Sequence, residues 1–442
     1  MTPAGPREPF DALDRRTPAS LDAWWARRMR ELFALAHAEL PFYRMRFDAA
    51  GFDPASFRTL ADLARVPRFA KADVLAAQAR LGRWDVGVER LAGHEPIVLS
   101  SSSGTKGTTF LAHPPSWRRS QGRSALRAHF WAGLRPGTPF LLSAPAWHSY
   151  AAVQTFIAEQ FGLPCVVIAG TYLPRFAGRI VEAILRFRPR FLTMFLPMVF
   201  SLASEARRRG IAARELFGGI EALVVTGAPV TPGMRAHVAQ TLGVRRLVEI
   251  AGTSESLLAV ECTAESGLHV VPDTCYVEVL DPRTGEPVAP GGRGSAVHTC
   301  VVAHGSMYLR YDGGDAAVID RSPCPCGLPS PRIKLLGRHE DAFVLGGRAL
   351  LPYDVQLAME EEVPELVGSP AVILRDGLAE GRLDLVLPPP EAGAPAGLAD
   401  RLAQRLRARL GVAVSARVAD HLPVQFKGVP PVLSGADTGH RP

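Results

Sequence analysis

The sequence predicts an α/β chain: a large N-terminal domain of parallel sheets covered by helices, with a β subdomain inside it, then a small C-terminal α+β domain. Three observations carry that expectation. Short apolar runs alternate with amphipathic stretches from about residue 96 to residue 250, helical spacing disappears between about 270 and 320, and a smaller strand–helix rhythm resumes after Arg338. At roughly 100–200 residues per domain, 442 residues divide into two to four domains or subdomains.

Taken in order, residues 21–38 place apolar side chains at helical spacing, and 59–64 and 71–79 do the same on a shorter scale. The runs 97–100, 140–143, 165–169, 191–195, 223–226 and 247–250 are short and apolar, which fits buried strands. Helical candidates lie between them at 117–131, 151–161, 179–187, 197–209 and 232–242. The alternation predicts a largely parallel sheet with helices on both faces. Residues 276–280, 295–301 and 316–319 are separated by turn signals such as Asp281-Pro282 and Gly291-Gly292, so an antiparallel β subdomain is expected at about 270–335. The boundary is placed at 338: residues 1–338 form the large domain and 339–442 the small one. The latter reads as a helix at 354–362, strands at 371–375 and 383–387, a Pro-rich loop at 388–395, a helix at 399–410 and a strand at 412–417.

Composition excludes several classes. With 47% hydrophobic and 21% charged residues the chain can bury a large core, unlike a disordered or collagen-like one. The 50 Lys+Arg exceed the 43 Asp+Glu by seven, but they are scattered among the acids, which argues against a dedicated nucleic-acid binder. Arg401, Arg405, Arg407 and Arg409 read as one solvated helix face. Lysine occurs only at Lys71, Lys106, Lys334 and Lys427, a bias toward arginine that fits base composition. The start lacks a basic segment followed by an apolar core, and no apolar run reaches the roughly 18–20 residues of a membrane span. A cytoplasmic protein with its six cysteines reduced is expected.

The first chemical signal is Ser100-Ser101-Ser102-Ser103-Gly104-Thr105-Lys106-Gly107-Thr108-Thr109, directly after an apolar strand. Glycines let backbone N–H groups approach an anion, while hydroxyls and a lysine add donors and charge. A nucleoside triphosphate tail is the natural guest, although the spacing is that of neither the P-loop nor GxGxxG. Downstream come Gly227-Ala228-Pro229, then Ala251-Gly252-Thr253-Ser254-Glu255, Arg310-Tyr311-Asp312-Gly313-Gly314-Asp315 and Gly337-Arg338-His339-Glu340-Asp341. In this order the motifs resemble the adenylate-forming superfamily of acyl-CoA synthetases, adenylation domains and luciferases. The N-terminal Pro41-Phe42-Tyr43-Arg44, Val66-Pro67 and Lys71-Ala72-Asp73 resemble its phenylacetate–CoA ligase branch. The resemblance runs from about residue 40 to 355, with a weaker continuation to 430.

The resemblance implies attack of a carboxylate on the α-phosphate of ATP, pyrophosphate release, and transfer of the acyl group to a thiol, usually that of coenzyme A. Two anions must meet, so cations, fixed N–H donors and Mg²⁺ are needed at the developing charge. By resemblance Ser102, Ser103, Gly104, Thr105 and Gly107 cradle the β- and γ-phosphates, with Lys106 beside them. Glu255 holds Mg²⁺, and Thr253 or Ser254 contacts the α-phosphate. Gly227, Ala228, Pro229, Ala251 and Gly252 complete the nucleotide site; Asp315 takes the ribose hydroxyls, and Arg338 reaches ribose or phosphate. The small C-terminal domain is implied to be a mobile lid turning at Asp341, with Lys427 as its catalytic cation. His148, Tyr150, Phe156 and Thr226 are implied to line an acid pocket sized for a compact aromatic acid.

The chain also departs from the family pattern. Lys106 stands two places early with Thr108 where lysine is usual, Ala251 replaces an aromatic that commonly stacks on adenine, and the arginine that usually follows the C-terminal lysine is missing. A second reading is therefore an adenylating enzyme of secondary metabolism whose acceptor is an amine or a carrier-protein thiol, and a third is a non-catalytic homologue. A homodimer is compatible with the resemblance. Finally Cys262 and His269, spaced C-x6-H, and Cys324-Pro325-Cys326-Gly327 form a Cys₃His set, the composition of a closed structural Zn²⁺ site. The alternative is four reduced side chains without a metal. Cys275 and Cys300 are expected to be core residues.

Overall fold

The structure, a computed structural model, describes residues 10–81, 98–101, 110–145, 148–168, 174–303, 307–367, 371–387, 396–419 and 432–433. It divides into two compact units: Met1–Ala169 with Val248–Leu335, and Gly170–Leu247 with Leu336–Pro442. No helix among the described residues is long and apolar enough to cross a membrane.

The first unit opens with helix Pro18–Glu39, which starts where Thr17 accepts the Ser20 N–H and Pro18 presets the first turn. Leu21, Trp25, Met29, Leu32, Phe33 and Ala36 recur at helical spacing and are buried. Two polar tips tie this region to the β subdomain. The Trp25 indole donates to the Pro272 carbonyl at 3.1 Å, and the Tyr43 hydroxyl donates to the Met307 carbonyl while accepting the Leu309 N–H at 3.1 Å. The strands of the β region lie in the spatial order Cys275–Leu280, Gly294–Cys300, Tyr311–Asp320, Arg332–Arg338, Leu268–Val270, Leu257–Glu261, Arg246–Gly252. Cys275 and Cys300 face each other in that ladder, buried as core residues.

Parallel pairing appears where a helix crosses over. Phe140–Ser143 pairs in parallel with Cys165–Ile168 through helix Ser149–Phe161. In the second unit Phe191–Phe195 pairs in parallel with Ala222–Thr226 through helices Leu196–Arg208 and Ala213–Phe217. Two runs expected in a parallel sheet are instead antiparallel: Val98–Ser101 with Phe110–His113, and Arg246–Gly252 with Leu257–Glu261. Their connections are too short for a crossover, so the chain must reverse directly. The stretch 59–64 winds as a 3-10 helix over Leu60–Arg65, and the 232–242 helix finishes in a π turn over Val238–Leu242.

In the last hundred residues, Ala413–Val418, Arg382–Leu387, Val372–Leu374 and Val432–Leu433 form one sheet in that order. Helix Leu398–Leu410 buries Leu402 and Leu406 against it. The arginine face of this helix is solvent-facing, as expected, and is paired with acids as well. Arg401 pairs with Glu365, Arg405 with Glu362 at 3.7 Å, and Arg409 with Glu361 and Glu362, while Arg407 donates to the Val414 carbonyl at 2.9 Å. Local acids answer the basic run, which removes the ground for reading it as a polyanion site.

Buried histidines make the fold acid-sensitive. His298, beside Tyr311 and 1% exposed, is pulled down to about 4 by burial. Its folded value lies below the unfolded one, so the unfolded chain binds more protons between about pH 4 and 6.5 and stability falls as pH falls through that window. His298 alone is expected to remove about 2 kcal/mol between pH 7 and pH 5. Denaturant titrations at both pH values should show a smaller acid loss in His298→Gln than in the parent chain.

Candidate active site and metal cluster

Strand Arg246–Gly252 ends in Ala251-Gly252, and Thr253 to Ser256 form the turn into Leu257–Glu261. Thr253 organises that turn. Its N–H donates to the Ser256 carbonyl at 2.9 Å, and its hydroxyl accepts the N–H groups of Glu255 and Ser256, each at 3.3 Å. A register shift between Ala251 and Gly252 bends the strand end, and the Gln121 side chain accepts the Leu257 N–H at 2.7 Å beyond the turn. Ser254 and Glu255 are thereby held in a largely buried position on a pinned backbone.

Asp315 lies in strand Tyr311–Asp320, and Gly313, two residues before it, borders the same turn. A Cβ on Gly313 would sit 3.4 Å from Asp315 Oδ2 and 4.0 Å from Thr253 Cγ2, so the carboxylate and the Thr253 turn flank one glycine. Asp312 caps the bend by accepting the Gly314 N–H at 2.9 Å. The motif is anchored by Arg310, whose φ of +63° is left-handed. Its buried guanidinium donates to both Glu278 oxygens at 3.2 Å and to the Val66 carbonyl. Burial raises the Glu278 carboxyl and the Arg310 charge opposes that rise, so the pair is held together in a dry setting.

The expected acid-pocket residues lie on helix Ser149–Phe161 and at its start. His148 caps the helix, its Nδ1 accepting the Tyr150 N–H at 3.1 Å. Tyr150 is buried. Phe156 packs into helix Pro115–Trp131, where a Cβ on Gly122 would fall 2.1 Å from its Cδ1. The His113 ring lies tilted at 38° against that of Trp117 with centroids 3.8 Å apart, and burial, reinforced by His148, pulls its pKa down to about 3. Both His113 and Gln121 escaped the sequence reading. A polar residue inside a strand or helix carries no spacing signal, and only burial singles it out.

In the second unit Thr226 ends strand Ala222–Thr226, followed by Gly227, Ala228 and Pro229. Gly227 has a φ of +86°, and a Cβ there would lie 2.4 Å from the Phe195 ring, so only glycine fits this turn. Arg338 ends strand Arg332–Arg338, 3.6 Å from Glu340, and Asp341 closes the 3-10 turn His339–Asp341. Ser102, Ser103, Gly104, Thr105, Lys106, Gly107 and Lys427 lie outside the described residues.

Away from the motif turn, Cys262, His269, Cys324 and Cys326 bring one ligand atom each within 4.8 Å of one another. Cys262 Sγ is 3.7 Å from Cys324 Sγ, and Cys326 Sγ is 3.2 Å from His269 Nε2. Tetrahedral zinc with Zn–S of about 2.3 Å needs sulfurs about 3.8 Å apart, so the donors fit the ion. His269 Nδ1 lies 2.8 Å from the Ser330 carbonyl, the arrangement in which Nδ1–H donates and Nε2 faces a metal. Burial holds His269 at about 4, keeping the ring neutral as a ligand must be. It pushes Cys262 up and Cys326 to about 12, while hydrogen bonds from the Cys326 backbone and the neighbouring thiols bring Cys324 down despite burial. Three thiols, two of them buried, and a neutral imidazole therefore make a donor set that suits a cation.

Comparisons with known proteins agree with this layout. The family model described as AMP-binding enzyme matches residues 65–303. Phenylacetate–coenzyme A ligase of Thermus thermophilus is 31% identical over 365 residues, covering 81% of this chain and 78% of that protein. The Pseudomonas putida phenylacetate–coenzyme A ligase is 27% identical over 359 residues, covering 78% and 77%. Among solved structures, a 2-hydroxyisobutyryl-CoA ligase in complex with its acyl-AMP superposes with a TM-score of 0.83 at 22% identity, covering 95% of this chain and 91% of that one. The motif order, the fold and these matches together place the chain in the AMP-binding enzyme family, as a homologue of the phenylacetate–coenzyme A ligases.

Proposed function

We propose that this chain is an AMP-forming acid–thiol ligase that activates a compact, aromatic carboxylic acid as its adenylate and passes the acyl group to coenzyme A. The observation that carries the reading is the meeting of the Thr253 turn and Asp315 around Gly313 in a member of this family. In the reaction, carboxylate oxygen attacks the α-phosphorus, pyrophosphate leaves, and thiolate sulfur then displaces AMP from the acyl carbon. Asp315, acceptor-only when ionised, suits a pair of ribose hydroxyls. Thr253 and Ser254 would face the α-phosphate, and Glu255 would hold Mg²⁺, which neutralises charge on the phosphates. Gly227, Ala228, Pro229, Ala251 and Gly252 would border the nucleotide, with Arg338 at the ribose or phosphate edge. Ser102 to Gly107 would cradle the phosphates, and residues 339–442 would act as the lid, turning at Asp341 and carrying Lys427. His148, Tyr150, Phe156 and Thr226 remain the proposed acid pocket. We read Cys262, His269, Cys324 and Cys326 as a structural Zn²⁺ site, because all four positions are filled by protein donors and none is left for substrate. A cytoplasmic setting and a homodimer belong to the same proposal.

The deciding experiment is ATP-dependent pyrophosphate release against a panel of acids, followed by mass spectrometry with and without coenzyme A. Aromatic acids are expected to give release and an acyl-CoA product. Release with no acyl-CoA would move the acceptor to an amine or a carrier-protein thiol, and no release with any acid would leave a non-catalytic homologue.

A further inference from the structure

Helix Pro352–Glu362 ends in three glutamates that face different partners. Glu361 and Glu362 meet the arginines of helix Leu398–Leu410, whereas Glu360 turns inward and is 7% exposed. Its Oε1 accepts the Thr231 hydroxyl at 2.6 Å and the Gln356 amide at 2.8 Å, and its Oε2 accepts the Gly233 N–H at 3.2 Å. Thr231 caps helix Pro232–His237, and its oxygen accepts the Met234 N–H at 3.1 Å, which leaves its own hydrogen for Glu360. Every partner donates, the pattern that suits a carboxylate with lone pairs only. The approach is close: a Cβ on Gly233 would lie 2.4 Å from Glu360 Oε2. Burial raises the Glu360 carboxyl above its ordinary value, and the hydrogen bonds from Thr231, Gln356 and Gly233 oppose the rise. Thr231 stands just beyond Gly227-Ala228-Pro229, so the contact joins a helix of the C-terminal segment to the stretch carrying that motif.

We propose that Glu360 is a positioning residue: it latches helix Pro352–Glu362 onto Thr231 and Gly233 in one of two orientations of the C-terminal segment, and it must release for the other. The inference rests on the proposed two-step reaction with turning at Asp341. Each hydrogen bond has a modest net worth because water replaces it on release, so the latch can open within a catalytic cycle. Losing it shifts the balance between the two orientations and separates the rates of the two steps.

Wild type, Glu360→Ala and Gly233→Ala are compared as full chains by two readouts. Hydrogen–deuterium exchange follows the amides of 231–237, with those of strand Arg382–Leu387 as the folding control. Adenylation is then measured by ATP–pyrophosphate exchange, and thioester formation from supplied acyl-adenylate and coenzyme A. The expected result is faster exchange at 231–237 in both variants, unchanged protection of the control strand, and a roughly three- to tenfold change in the ratio of the two rates. Gly233→Ala keeps the carboxylate but displaces it, so its agreement with Glu360→Ala separates the contact from the charge. Unchanged exchange at 231–237, or an equal fall in both rates, would overturn the latch. If wild type performs neither step, the ligase reading fails, and the exchange result alone decides whether the contact docks the helix.

Discussion

Cys324→Ser is expected to release bound zinc and to lower the thermal midpoint by roughly 6–12 °C, taking a loss of about 3 kcal/mol in a domain of this size. The size of the effect follows from burial. Cys262, Cys324 and His269 are each under a tenth exposed, so removing the cation leaves thiols and an imidazole facing one another without water. The four donors come from the end of strand Leu257–Glu261, from strand Leu268–Val270 and from the connection between Tyr311–Asp320 and Arg332–Arg338. One ion there would therefore staple two strands and a connection of the sheet that also carries Asp315. Elemental analysis of the dialysed wild type should find about one zinc per chain; below about half an equivalent, the site is not a resident zinc site. A Cys324→Ser chain that keeps both its metal and its midpoint would also reject it.

Lys427→Ala is expected to reduce ATP–pyrophosphate exchange by roughly a hundred- to a thousandfold while leaving thioester formation from supplied acyl-adenylate within about threefold of wild type. The two anions that meet in adenylation repel each other, and a compact ammonium at the transferring oxygens offsets that charge only in that step. Once the adenylate exists the repulsion has passed, so the second half-reaction should not need the same cation. In a chain with four lysines, Lys427 is the one beyond Asp341. Undiminished exchange in Lys427→Ala would remove it from the chemistry and turn attention to Lys106. Equal losses in both steps would point to a folding defect, which the thermal midpoint would reveal.

Much of the architecture was legible before the fold was known. Helices Pro115–Trp131, Ser149–Phe161 and Leu398–Leu410 stand within a few residues of their expected places, because an apolar stripe at 3.6-residue spacing is a local signal. The antiparallel β region was legible from its turn signals. Strand partners were not: Val98–Ser101 reads as another short apolar run, and only its connection to Phe110–His113 makes it a hairpin. The solvated arginine face of Leu398–Leu410 was legible, but its acidic partners were not, because they lie on Pro352–Glu362 and just beyond it, far away in sequence.

The sequence by itself determined the motif order, the residue types each motif brings, and the Cys₃His set with its spacing, since each is written in neighbouring residues. Tertiary structure alone decided which of them meet. Thr253 and Asp315 border one glycine, Gln121 pins the turn beside Glu255, four candidate metal donors close to within 4.8 Å, and Glu360 finds Thr231. These encounters span long stretches of chain whose closure is compensated only by burial and by the packing of whole elements, a free energy that no local pattern encodes.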